Sequence, residues 1–280
     1  MKRTGRQPPP PSGAVEKRVQ RRRNGRMEPA ADLVAAEVPI ALSYNGEPFA
    51  VMMATPDRLE DFALGFTLSE GIAAADDVCV IAVEPSLEGI SIRLSIPETA
   101  AAALAERRRN LQGRSGCGIC GTESIEAVLR PPPPVGAGAP TTVAALERAL
   151  GELRALQPLN ALTGATHAAA WADAQGALVC VREDVGRHNA LDKLIGALAR
   201  EGVDFGAGFA VVTSRASYEM AMKAAQAGIA MLAAISAPTA LAIALADSAG
   251  LTLIGFARDD GCVVYSHPHR LSASASEAAA

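Results

Sequence analysis

Beyond residue 208, apolar runs of strand length alternate with segments of helix length: 209–213, 218–227, 229–235, 238–248 and 251–257. No other feature of the chain restricts its fold as tightly. Such alternation predicts a largely parallel sheet with covering helices, because parallel neighbours need a crossover and a helix is the usual one. Residues 224–246 lack any charge over a length that could span a bilayer. Gly228, however, closes one helix, 229–235 has strand length, and Ser236-Ala237-Pro238-Thr239 starts another helix, so three elements of a water-soluble protein account for the stretch.

Upstream the pattern is α+β. Two apolar runs within 38–53 flank Asn45-Gly46, a pair that tolerates the positive φ angles of a tight hairpin turn. Thr55-Pro56 opens a helix to Glu70, 78–83 and 90–96 form a second hairpin, and an Ala-rich helix ends near Arg107 to Arg109. A third hairpin pairs 166–171 with 177–182, and Leu191, Leu194, Ile195 and Leu198 give 187–200 helical spacing. Pro131 to Pro134 act as a linker or hard stop. The expected organisation is therefore a disordered basic tail over 1–30, an N-terminal α+β part over 31–130, a Pro/Gly linker over 131–140, an α/β part over 141–270 and a second disordered tail over 271–280.

Charge is unevenly spread. Nine of the 26 Lys and Arg lie in residues 1–26 beside a single Glu, which leaves the rest of the chain acidic. A body of that sign does not gather polyanions by its overall field, so no specific nucleic-acid partner is expected and any phosphate must be held by local groups. The basic segment has no apolar core of a signal peptide behind it. With five cysteines in 280 residues there is no disulfide framework, and a cytoplasmic protein with reduced thiols is expected.

Ligands of such sheets bind outside the carboxyl ends of the strands. That rule selects Thr213 to Ser217, Ser236 to Thr239 and Phe256-Ala257-Arg258-Asp259-Asp260-Gly261, where Arg215 and Arg258 offer forked donors to phosphate or a nucleobase. Glu183-Asp184-Val185-Gly186-Arg187-His188-Asn189 is a denser polar cluster, with His188 near a helix start that disfavours its protonation. The sharpest local signal is Gly116-Cys117-Gly118-Ile119-Cys120-Gly121. A Cys-x-x-Cys pair serves as a redox couple, as half of a zinc site, or as a nucleophile with a resolving partner. Cys79, Cys180 and Cys262 stand apart from one another, so no metal site is expected. The glycines give both thiols freedom to reach different partners.

Taken in order, Leu64-Gly65-Phe66 with Ser69-Glu70-Gly71, the Cys117/Cys120 loop, the Glu183 to Lys193 stretch EDVGRHNALDK, Ser214 to Glu219, Ser236 to Thr239 and Leu251 to His267 resemble the formate dehydrogenase accessory sulfurtransferases, or FdhD proteins. The resemblance spans about residues 35 to 270. It implies a cytidine-deaminase-like three-layer α/β core with the additional α+β part, and a homodimer. It also implies an enzyme, a sulfurtransferase, that accepts sulfane sulfur from a cysteine desulfurase as a persulfide. The acceptor would be the molybdenum bis(molybdopterin guanine dinucleotide) cofactor, bound as substrate before it enters formate dehydrogenase. Cys117 would carry the persulfide with Cys120 assisting, and Phe256 to Gly261, with Arg215 and His188, would contact the cofactor. The usual pattern of that segment ends in a basic residue where this chain has Gly261, and Asp259-Asp260 would face the anionic ligand through guanine N–H groups rather than phosphate. The zinc signature of deaminases is missing, so deamination is not expected. Two alternatives use the same residues: a thiol–disulfide oxidoreductase or redox sensor that cycles Cys117 and Cys120, and a chaperone that only binds the cofactor.

Overall fold

The computed structural model describes residues 12–109, 131–258 and 261–273. Its centre is a six-stranded sheet built from β8 (His167–Asp173), β9 (Leu178–Asp184), β10 (Gly208–Val212), β11 (Met231–Ala234), β12 (Thr252–Arg258) and β13 (Gly261–Ser266), in the order β13-β12-β11-β10-β8-β9. Only β10, β11 and β12 run parallel to one another; β8 joins β10 and β13 joins β12 in antiparallel register. The expected largely parallel sheet is thus a mixed one. Strand–helix alternation governs only residues 208–258, whereas the flanking pairs β8–β9 and β12–β13 are hairpins, which are antiparallel by construction.

Period-2 alternation supplies both faces of this sheet. In β10, Phe209 and Val211 point to one side and Ala210 and Val212 to the other. The first side packs on α3 (Val143–Leu153) through Leu146, Ala149, Leu150 and Leu153. The second is covered by α5 (Arg187–Arg200), α6 (Tyr218–Gln226) and α7 (Ala240–Ala249), with Leu191, Leu194, Ile195, Met220 and Leu245 in the core. Three layers result. The uncharged stretch 224–246 resolves into the end of α6, a turn at Gly228 with φ +86°, β11 and the start of α7, where Thr239 Oγ1 accepts from Ala242 N–H. No helix among the described residues is long and apolar enough to cross a membrane.

A second sheet holds β3 (Val38–Tyr44), β4 (Glu47–Ala54), β5 (Cys79–Pro85) and β6 (Ile90–Ser95) in the order β4-β3-β6-β5. Its inner face, with Ile40, Leu42, Ile92 and Leu94, packs with Phe62 and Phe66 of α1 (Leu59–Ser69) and with Leu104 of α2 (Glu98–Arg109). The other side of α1 lies on α5. At that crossing a Cβ on Gly65 would sit 1.7 Å from Asp192 O, and one on Gly196 1.9 Å from Asp61 O, so both positions must be glycine for the backbones to come this close. The N-terminal part is therefore locked to the central sheet through one helix pair.

Two expectations about chain ends change. Residues 14–30, predicted to be a disordered tail, belong to a ribbon of β1 (Ala14–Arg23) and β2 (Arg26–Ala35), paired from Ala14↔Ala35 to Arg23↔Arg26. The turn is Asn24-Gly25, with φ of 50° and 78°, the same dipeptide as Asn45-Gly46; the charge block masked a hairpin signal. Leu271 and Ser272, expected within the second disordered tail, form β14 (Leu271–Ser272), which pairs with β7 (Thr141–Thr142). Within 131–140, Val135 N–H donates to Ala249 O and Ala139 N–H to Gly206 O, and Arg270 donates to the carbonyls of Gly136 and Ala137. That segment is strapped along the core. A short helix, α4 (Pro158–Thr163), and α3 itself complete the described elements.

Candidate functional site

The carboxyl ends of β10, β11 and β12 bring the three predicted polar segments side by side. Ala216 and Pro238 form a parallel bridge, Thr239 N–H donates to Ala216 O, and Phe256 N–H donates to Ser236 O. Arg258 Nε donates to Ile235 O at 3.2 Å, which leaves the rest of its guanidinium exposed at the crest. Phe256 has a positive φ of 51°, a strained position for an aromatic residue, and is 43% exposed. Ala257 is fully buried in the α3-side core. Gly261 pairs with Arg258 at the start of β13. Arg215 is exposed on the first segment. Asp259, Asp260, Cys117 and Cys120 lie outside the described residues.

On the α3 side of this crest is a cleft of about 570 Å³ with Leu150, Leu153, Ile235 and Ala257 as its apolar lining and Arg154 and Arg258 at its margin. Its size suits a nucleotide-scale ligand. Arg154 carries no signal in the linear sequence, since nothing local shows that the end of α3 meets the end of β12.

On the opposite side, α5 and α6 begin next to each other. His188 Nε2 stands 2.6 Å from Glu219 Oε2 and Arg187 Nη2 3.8 Å from the same oxygen. The Glu219 carboxylate thus engages His188 Nε2, while Arg187 Nε and Ser217 Oγ beside it are buried atoms without a hydrogen-bond partner among the described residues. The hydrogen bond with His188 holds the Glu219 carboxyl below its usual range against the opposing effect of burial, with Arg187 adding to the pull. Burial pushes the imidazole of His167 below its usual value, and the charges of Arg187 and His188 add to that. Two orphaned polar atoms at two helix starts, with the Arg187 cation near Glu219, form a receptive wall. Glu219 and Ser217 join Arg187 and His188 only in three dimensions.

The EDVGRHNALDK stretch divides by direction. Glu183 accepts from Leu159 N–H, Asn160 N–H and Thr166 Oγ1. Asp184 pairs with Lys193 at 2.6 Å with both side chains at 0% exposure, and Lys193 also donates to Thr55 O. Asn189 donates to Met53 O and Asp184 Oδ1. Asp192 binds Ser69 Oγ and Lys223 Nζ, and Lys223 reaches Glu70 at 2.8 Å. Burial alone would pull Lys223 down, but Asp192 and Glu70 outweigh it and hold the ammonium above its usual range. Most of the stretch, with Ser69 and Glu70, therefore anchors the N-terminal part to the sheet, and Arg187 and His188 alone turn to the crest. Among the described residues no group of three or more His, Cys, Asp or Glu is placed to hold a metal.

The FdhD/NarQ family profile matches residues 35–272. This chain belongs to that family. It is 69% identical over 260 residues to the sulfur carrier protein FdhD of Xanthomonas euvesicatoria pv. vesicatoria, covering 92% of each chain. It is 54% identical over 259 residues to the sulfur carrier protein FdhD of Cupriavidus necator, covering 92% of this chain and 90% of the relative. The crystal structure of a protein assigned as a formate dehydrogenase accessory protein, from Desulfotalea psychrophila, superposes with a TM-score of 0.74 at 23% identity, over 93% of this chain and 100% of that one. That likeness establishes the mixed α/β fold. The matched span begins at Ala35, the last residue of β2, and leaves the rest of the basic ribbon outside it.

Proposed function

We propose that this FdhD/NarQ family member is a sulfur carrier that accepts sulfane sulfur from a cysteine desulfurase on Cys117 and delivers it to the molybdenum bis(molybdopterin guanine dinucleotide) cofactor of a formate dehydrogenase. The carrying observation is the Gly116 to Gly121 dithiol motif in a chain 69% identical to a protein named as a sulfur carrier. The Cys117 thiolate attacks the outer sulfur of the donor's persulfide, forming Cys117–S–SH and releasing the donor thiolate. Release of that sulfur at the sulfide level takes two electrons, and Cys120 supplies them by closing a disulfide with Cys117 as sulfide leaves; a thiol reductant then reopens the pair. The guanine dinucleotide portion of the cofactor, the substrate here, lies at the crest, with its ring against Phe256 and its phosphates facing Arg258 and Arg154. The orphaned groups of Arg187 and Ser217, with the imidazole of His188 beside them, supply a second set of polar contacts on the α5 side of the same crest.

Intact-mass measurement after incubation with a desulfurase and cysteine tests the proposal. An adduct of about 32 Da, one sulfur atom, is expected on the wild type and its loss on Cys117→Ala. A wild type that takes up no sulfur, yet shows a reversible Cys117–Cys120 disulfide at cytosolic potentials, would instead establish a thiol–disulfide oxidoreductase. Client activation that survives loss of both cysteines would leave only a cofactor-binding chaperone.

A further inference from the structure

We propose that the ribbon of β1 and β2 is an arm that docks on the acidic body of a second copy of this chain. The ribbon leaves the body at Gly13, whose φ of +90° and close approach to Thr55 and Leu159 fix its base. Leu33, Val34 and Ala35 near that base are half-buried, whereas every residue from Gln20 to Pro29 is exposed, Met27 to 62%. Ten paired positions at about 3.3 Å per residue carry the tip some 30 Å from the base. A two-stranded ribbon of that length is marginally stable when nothing covers it.

Its charge indicates the cover. Residues 12–35 hold six Lys or Arg and three acids, while residues 36–280 hold 27 acids and 17 bases. Among the described residues Arg21 reaches Asp32 at 3.3 Å within the ribbon, but Lys17, Arg18, Arg22, Arg23 and Arg26 reach no carboxylate. Arg23 stands directly across from Arg26, a like-charge pair that opposes the ladder it closes. The exposed basic tip and the acidic body carry opposite charge, and the identical acidic body of a second copy supplies the carboxylates that the tip lacks. A polyanion would meet repulsion from the body behind the arm. On one face of the ribbon Met27, Pro29, Ala31 and Leu33 follow each other along β2 beside Arg18 and Arg22 of β1, so an apolar line accompanies the cationic one.

Sedimentation of the full chain at low and high salt tests the arm. Self-association that weakens with salt is expected for the wild type, and a dissociation constant roughly tenfold or more higher for Arg22→Glu/Arg23→Glu/Arg26→Glu. A monomeric wild type, or a folded variant with unchanged association, overturns the proposal. Zero-length coupling of amines to carboxylates gives a second readout on the wild type. Of the four lysines, Lys193 and Lys223 are buried and Lys2 and Lys17 lie at the N-terminal end. In a mixture of isotopically light and heavy copies, links from Lys17 to body carboxylates are expected to join light to heavy. Links confined to one isotope would place the arm on its own body and refute docking between copies. Neither measurement depends on sulfur loading, so each stands or falls separately from the carrier function.

Discussion

Gly65 and Gly196 face each other across the α1–α5 crossing, each touching backbone of the opposite helix where a methyl group would have to stand. The contact sets how near the N-terminal sheet comes to the central one, and therefore where Thr55, Met53 and Ser69 meet the buried half of the Glu183 to Lys193 stretch. Gly65→Ala and Gly196→Ala are each expected to lower stability by about 2–3 kcal/mol or more, since backbone rather than a flexible side-chain end blocks the space. Denaturant unfolding measures it. A loss below about 0.5 kcal/mol for either would mean that the helices are not this close.

Lys193 and Asp184 make the strongest case that a family-typical polar residue is structural. Burial pulls the ammonium below its usual range, and Asp184 acts against that pull. Lys193→Met leaves the Asp184 carboxylate buried with its cation gone and is expected to cost about 3–5 kcal/mol. Equilibrium unfolding of the variant checks this, and near-wild-type stability would show that the pair is not buried as described.

Legibility followed distance along the chain. Asn45-Gly46 and the Leu191, Leu194, Ile195, Leu198 spacing located β3–β4 and α5 closely, because turn geometry and helical periodicity are local. The Asn24-Gly25 hairpin carried the same signal, but Arg21 to Arg23 and Arg26 suggested solvation over pairing. Helix α3 has local signals of its own, since Thr142 caps it by accepting from Ala145 N–H and Leu146, Leu150 and Leu153 line one face, but nothing local shows that this face packs on the central sheet. For the site, the strand-end rule found all three crest segments, which the Ala216–Pro238 bridge and the Phe256–Ser236 hydrogen bond then joined. What could not be read was direction: that Asp184 and Asn189 turn inward while Arg187 and His188 turn to Glu219, 31 residues on, depends on sheet register and on α6 starting beside α5.

Arg258 and Arg154 flank the cleft on the α3 side with an apolar floor between them. If the dinucleotide of the substrate enters there, guanosine diphosphate is an adequate probe. Arg258→Ala and Arg154→Ala are each expected to weaken its binding about tenfold, the effect of losing one charge-assisted hydrogen bond. Calorimetric titration decides it. Unchanged binding in both variants would move the ligand to the Arg187 and His188 side of the crest.

Acid should weaken the native state in two stages at that side. His167 has a folded pKa below its ordinary 6.5, chiefly from burial, so as pH falls through 6.5 the unfolded chain takes up a proton that the native one resists. Stability contributed by the neutral imidazole is complete above that pH and declines below it. Glu219, held below its ordinary 4.5 by His188, contributes stability that is complete above 4.5 and is lost as pH falls through the depressed folded value. Both signs agree: the melting temperature drops with acidification, first from His167 and then from Glu219. In a thermal-melting series, His167→Gln is expected to flatten the decline just below pH 6.5 and Glu219→Gln the decline below 4.5. An unchanged first stage in His167→Gln would show that its imidazole is as well solvated in the folded protein as in the unfolded chain.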